Sequence, residues 1–281
     1  MAVVLISGCN GGVGLLSALE FAREGDKVYA GVTDHRLGMS LERSAESEGV
    51  HELIEVVTLD VTSERSVLTV LDHIVQEDQR LDVLVNTTSV VLRGATHLCS
   101  DEEVRWQFDH DVFGMLRMVR AVVPIMKRQG RGSVVNVGAV SGHVTRPYRG
   151  AFAAAKHAVE ALTQAMHFEL SPFDIRVVMI EPGRFGSGAP QEIRLAAAQT
   201  DGSFESDAAA RYDAAVQRMS EGTLRIDPNL VARAVRNVTR DQRRRLRHQV
   251  GYDDQLLDEV YGSVNFEDYE ETMRKSLDWW D

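Results

Sequence analysis

The chain has 281 residues, and its 42 Asp and Glu against 31 Lys and Arg leave a formal net charge of −11. A surplus of that size repels phosphate backbones and anionic membrane surfaces unless basic residues gather locally, so neither nucleic acid nor a membrane is expected as a partner. The one gathering, Arg240 to Arg247, reads as a solvated loop ahead of a late strand, and no apolar run approaches the roughly 20 residues that span a bilayer.

Short β-branched runs alternate with longer amphipathic stretches. In chain order the expected elements begin with a strand at Val3 to Ile6, a helix at Gly12 to Arg23, a strand at Lys27 to Val32 and a helix at Glu42 to Glu48. A strand at Leu53 to Leu59, a helix at Glu64 to Glu77 and a strand at Asp82 to Asn86 follow. A long helix at Glu102 to Lys127, a strand at Ser133 to Val137, a helix at Ala153 to Leu170 and a strand at Arg176 to Ile180 complete the series. Such alternation builds right-handed βαβ units and a parallel sheet covered on both faces, with ligands beyond the carboxyl ends of the strands. The six prolines and 22 glycines form no linker and no repeat is visible, so residues 1–281 are read as one domain. Cys9 and Cys99 lie far apart, and the apolar start from Ala2 to Ile6 is short and lacks basic residues before it, so a reduced, cytoplasmic protein is expected.

The first strand-to-helix loop reads Ser7-Gly8-Cys9-Asn10-Gly11-Gly12-Val13-Gly14. Glycines there let the backbone turn sharply and approach a diphosphate, whose charge meets free N–H groups at the helix N-terminus. The spacing Gly8-x-x-x-Gly12-x-Gly14, with Asp60-Val61, Asn86, Lys156 and Pro182-Gly183 in order after it, resembles the short-chain dehydrogenase/reductase family over about residues 2 to 187. The tail, Arg247 to Gly251 and Asp268 to Arg274, loosely resembles its steroid and retinol dehydrogenase branch.

The resemblance implies an α/β fold with a doubly wound, Rossmann-type parallel sheet. It also implies a helical substrate lid at about 185–225 and a C-terminal strand and helix at about 244–281. It assigns Gly8, Asn10, Gly12, Val13, Gly14, Thr33, Asp60, Val61, Asn86, Lys156, Pro182 and Gly183 to a nicotinamide dinucleotide. Val32 stands where members preferring NAD carry an acid, and Thr33 where members preferring NADP often carry Arg; with Arg36 nearby the lean is to NADP over NAD, against which Asp34 counts. Packing of the helices around Val112 to Met126 and Ala153 to Leu170 implies a homodimer or homotetramer.

The catalytic positions depart from the family. Aligning Lys156 places Phe152 at the family's general acid/base Tyr, Ala139 at its Ser and Asp111 at its Asn, and a general acid alone typically contributes about 10² to 10⁴ in rate. His143 and Tyr148, on the loop Ser141 to Arg149, are candidate substitutes for an oxidoreductase acting on a carbonyl or hydroxyl. The alternatives are a non-redox lyase, isomerase or cyclase with Asp111 as base and Lys156 as stabiliser or nucleophile, and a non-catalytic nucleotide-binding protein. No metal is expected. If two or more of Arg93, Arg146, Arg149 and Arg184 on the carboxyl-edge loops point inward, they would suit a carboxylate or phosphate on a small-molecule substrate; Ile193, Leu195, Phe204 and Tyr212 would give the lid either an apolar inner face or its own packing.

Overall fold

The computed structural model describes residues 1–183, 192–220, 226–241, 245–251, 268, 270, 271, 274 and 275. Seven strands form one parallel sheet in the order β3-β2-β1-β4-β6-β7-β9: β1 Val3–Ser7, β2 Lys27–Val32, β3 Ile54–Thr58, β4 Val83–Asn86, β6 Gly132–Val137, β7 Ile175–Pro182 and β9 Arg247–Val250. The order reverses between β1 and β4, where Ser7 lies beside Asn86, so a crevice opens at the carboxyl ends of these two strands.

Successive strand residues face opposite layers. Val3 and Leu5 pack with Met118, Met126, Val159 and Met166 from α5 (Gly114–Gln129) and α6 (Gly150–Leu170). Val4 and Ile6 pack with Leu19 and Phe21 of α1 (Gly12–Arg23), Leu41 of α2 (His35–Glu48), and Val231 and Val235 of α8 (Pro228–Val238). Both faces are dry, which is why β1 reads as an unbroken apolar run.

Three departures from the expected elements have local causes. Helix α2 starts at His35 instead of Glu42, because the Asp34 carboxylate caps the Arg36 amide. The long helix expected at Glu102 to Lys127 is α4 (Asp101–Phe108), opened by a capping box between Ser100 and Glu103, then one π turn at Asp109–Phe113, then α5. A second, two-stranded parallel sheet pairs β5 (Val90–Arg93) with β8 (Glu192–Leu195), in the register Val90 to Glu192 and Arg93 to Leu195. The remaining helices, α3 (Glu64–Asp78) and α7 (Phe204–Ser220), flank the main sheet and follow β8 respectively. In the tail, β9 falls inside the expected C-terminal strand, and Asp268, Glu270, Glu271, Arg274 and Lys275 are helical; 252–267 lies outside the described residues.

Candidate functional site

The loop between β1 and α1 is shaped by what its glycines omit. Gly8 and Gly12 adopt φ of 77° and 53°, the left-handed region that side chains disfavour. A Cβ on Gly8 would lie 2.9 Å from both Thr87 Oγ1 and Thr88 N, and one on Gly14 would lie 2.7 Å from Thr87 Oγ1. Thr87 is itself fixed, its hydroxyl donating to the Ser7 carbonyl at 2.5 Å. No side chain caps α1, so its first amides, including that of Val13, are left to an external acceptor.

Asn10 braces the rim. Its Oδ1 accepts from the Thr33 amide at 3.1 Å and its Nδ2 donates to Thr33 Oγ1 at 3.2 Å. Val32 is fully buried. Arg36 closes a fork onto the Asp34 carboxylate, which holds that acid well below the ordinary range, at about 2. Asp60 accepts from the Thr62 amide and hydroxyl at 2.9 and 2.7 Å, and Val61 beside it packs under Gly114, where a Cβ would come within 2.7 Å of Val61 Cγ2.

At the strand ends, Asn86 Nδ2 donates to Asn136 Oδ1 at 2.8 Å, and Asn136 Nδ2 donates to Thr163 Oγ1 at 2.9 Å. Asn86 Oδ1 and Ser7 Oγ are buried without a partner. A cradle with no room for side chains, open helix amides and orphaned polar atoms at the switch point fit a dinucleotide diphosphate and its flanking riboses.

The other half of the crevice holds an ion pair. Lys156 Nζ lies 3.1 Å from Asp111 Oδ2, with side-chain exposures of 4% and 0%. The π turn aims Asp111 at this point, and single π turns recur at functional sites. Ser89 Oγ donates to Asp111 Oδ2 at 3.1 Å and the Val90 amide to Oδ1 at 3.0 Å, so this carboxylate also anchors the start of β5. One turn earlier, Gln107 makes a matching staple, its Oε1 accepting from the Leu92 amide and its Nε2 donating to the Val90 carbonyl. Taking two charges out of water costs several kcal/mol per ion before their attraction offsets it, so neither partner is easily spared.

Phe152 lies one helical turn before Lys156 with its ring centroid 5.6 Å from Nζ, and it is 6% exposed. Ala139, in extended backbone just after β6, offers only a methyl group. Neither residue donates a proton.

Of the two candidate substitutes, His143 has its imidazole engaged elsewhere. His143 Nε2 lies 2.9 Å from Glu181 Oε1, in a cluster where His143, Glu160 and Glu181 present ligand atoms within 4.8 Å of one another. The Arg247 guanidinium already bridges those carboxylates, pairing with Glu160 and approaching Glu181 at 3.5 Å. Burial, and then the neighbouring Glu181, push the Glu160 carboxyl up. Tyr148 sits at φ 60°, its carbonyl accepting from the Gly94 amide, and its ring lies 6.0 Å from that of Tyr212. Burial pushes its phenol up, away from neutral pH.

The expected lid is described over residues 192–220, and it is docked. Besides the β5–β8 pairing, Ala95 N donates to Gln199 Oε1 and Ala197 N to Glu103 Oε1, at 2.8 and 2.7 Å. The Arg194 guanidinium stacks 3.9 Å over Trp106. Arg93, one of the arginines expected to suit a carboxylated substrate, pairs with Asp213 of α7. The expected apolar inner face is corrected. Only Tyr212 of the four is buried, whereas Ile193 and Leu195, on the β8 edge with both faces wet, are 53% and 64% exposed, and Phe204, at the start of α7, is 76% exposed. Arg146 and Arg149 are half-buried on the loop before α6, and β7 delivers Pro182 and Gly183, whose amide donates to the Val250 carbonyl. Arg184 lies outside the described residues. Ser89, Gln107 and the strand β8 were not foreseen as parts of the site.

A doubly wound parallel sheet with a glycine cradle at its switch point places the chain among the dinucleotide-fold α/β proteins. Residues 2–198 match the short chain dehydrogenase family, and the chain belongs to that family. A 3-ketodihydrosphingosine reductase of Bacteroides thetaiotaomicron is 32% identical over 186 residues, 66% of this chain and 65% of that protein. Retinol dehydrogenase 8 of Homo sapiens is 36% identical over 183 residues, 64% of this chain and 58% of that protein, in keeping with the retinol branch. The chain therefore covers less than two thirds of the length of these curated relatives. The crystal structure of a short-chain dehydrogenase from Streptomyces avermitilis superposes with a TM-score of 0.79 at 26% identity, covering 99% of this chain and 95% of that one.

Proposed function

We propose that the chain is a nicotinamide-dinucleotide-dependent oxidoreductase of small molecules, in which hydride transfer proceeds without the family's Ser and Tyr. The observation that carries this reading is the coexistence of an intact cradle at Gly8, Gly12 and Gly14 with a Lys156 that faces the same crevice edge on a fixed ion pair. A nicotinamide dinucleotide would supply or accept the hydride. The α1 amides would hold its diphosphate, Asn10 and Thr33 would form the adenosine rim, and Lys156, kept in place by Asp111, would stand on the nicotinamide side. Asp111 positions Lys156, and Phe152 and Ala139 keep the reacting face apolar.

NADP is the favoured nucleotide, because no acid occupies Val32 and the charge of Asp34 is met by Arg36. The ion pairing of Asp111 with Lys156 disfavours a free base or a free amine nucleophile, and with them the lyase, isomerase and cyclase readings. His143 and Tyr148 are weaker as substitute acids than their place on the loop implies, given Glu181 and Tyr212. Phe168, 68% exposed near the end of α6, supports self-association through that helix. No helix among the described residues is long and apolar enough to cross a membrane, and a cytoplasmic location is proposed from the two free cysteines. Titration with NADPH and NADH, followed by hydride acceptors while the reduced-nicotinamide absorbance is monitored, tests the reading: micromolar binding with oxidation is expected, and binding without any oxidation would overturn it.

A further inference from the structure

Resting on the oxidoreductase reading, we propose that the hydride acceptor is a cation of the iminium class, C=N⁺, instead of a neutral carbonyl. Hydride addition to a carbonyl creates an oxyanion, which needs donors where the charge develops. This crevice withholds them in three ways at once. Ala139 presents a methyl group, and Phe152 presents a 6%-exposed aromatic ring. Asp111 adds a carboxylate behind them, with 0% side-chain exposure.

The remaining cation, Lys156, is spent on that carboxylate at 3.1 Å, so the pair is neutral overall, and the Ser89 hydroxyl is directed at the same oxygen. Each feature that penalises an oxyanion favours, or leaves untouched, an acceptor that begins positive and ends neutral. An aromatic face attracts a cation, the paired Asp111 and Lys156 leave it untouched, and an apolar surround favours the discharge of a charged reactant. The step balances without a protein acid. One C–H bond forms at the iminium carbon from the hydride of the reduced nicotinamide, the C=N π pair becomes the nitrogen lone pair, the nicotinamide is oxidised and the iminium is reduced to an amine. The missing Tyr then needs no substitute.

The test uses matched pairs: cyclic iminium ions of five to seven ring atoms and their isosteric ketones, each offered with NADPH. Binding is measured separately by calorimetry, with the saturated cyclic ammonium ions and the isosteric neutral ethers added to the protein loaded with NADP⁺. The expected results are oxidation of NADPH by at least one iminium with none by its ketone, and ammonium binding about tenfold tighter than that of the ether. Phe152→Leu, which keeps the volume and removes the ring face, should weaken the ammonium about threefold and leave the ether unchanged. Asp111→Asn should lower the ammonium preference further. Ketones reduced as readily as iminium ions, or equal binding of ammonium and ether, would overturn the proposal while leaving the oxidoreductase reading standing. NADPH that binds and is oxidised by neither class would end both.

Discussion

The two halves of the crevice are held by different kinds of chemistry. On the β1–α1–β2 side the fit depends on backbone: left-handed turns at Gly8 and Gly12, absent Cβ atoms against Thr87, and uncapped helix amides. On the α4–α6 side it depends on side chains, namely Asp111, Lys156, Phe152 and the staple from Gln107. A backbone cradle has few acceptable variants, since any Cβ fills it. A side-chain site can exchange hydroxyls for methyl and phenyl groups and keep its fold, provided that the one buried charge keeps its partner. That asymmetry explains how a chain of this family can keep a nucleotide-shaped cleft with Phe152 and Ala139 beside Lys156.

The largest effect is expected from breaking the side-chain half at its charge. Asp111→Ala strands the Lys156 ammonium and releases Ser89 and Val90, so a loss of about 3–5 kcal/mol in unfolding free energy is expected by chemical denaturation. Adding Lys156→Met should restore most of that stability, because an apolar pair of similar volume tolerates burial. If the double variant were no more stable than the single one, the ion pair would not be what holds this half together.

Gly14→Val attacks the other half. The added side chain would meet Thr87 Oγ1 and the Gly8 carbonyl, so nucleotide affinity should fall by about 100-fold in calorimetry, about 2.7 kcal/mol. Stability of the Lys156 region should change less, because the two clusters meet only through the segment from Thr87 to Val90. Equal damage to both halves would dissolve the distinction drawn between them.

How much of this was legible in the sequence follows the same divide. The cradle could be read because a glycine's necessity is local, and the pairing of Asp111 with Lys156 joins two residues that the sequence reading had singled out. The lid's attachment could not be read. Strand β8 is exposed along its whole length and pairs with β5 about a hundred residues away, so no alternation marks it. The π turn that aims Asp111 also has no sequence mark inside a continuous amphipathic helix, and the pairing of Arg93 with Asp213, 120 residues on, has none either. The first turns of α2 were not read either, because its buried face is carried by only Gly38, Leu41 and Ala45 in a largely polar run.

The β5–β8 seam gives a third, smaller test. Gly94 passes so close to the Ala196 methyl that no Cβ fits between them. Gly94→Val should unseat residues 192–199 at a cost of about 1–3 kcal/mol of local overpacking, read as faster amide exchange over β8 and α7 with nucleotide affinity unchanged. Unaltered exchange would mean that the seam does not hold the lid.

The smallest effect concerns pH, and it isolates the side-chain half again. Burial and Glu181 raise the Glu160 carboxyl above its ordinary value of 4.5, so the folded chain holds that proton more tightly than the unfolded chain does. Stability from this group is therefore fully present below about 4.5 and is lost as pH rises through the raised folded value. Glu160→Gln removes the titration and one of the two crowded carboxylates beside His143 and Arg247. In melts taken from about pH 8 down to about pH 5, the wild-type chain should gain on the variant as the solution is acidified. A gap that stayed constant, or closed in the opposite sense, would show that Arg247 already neutralises the cluster and that Glu160 does not control how β9 is fastened to the sheet.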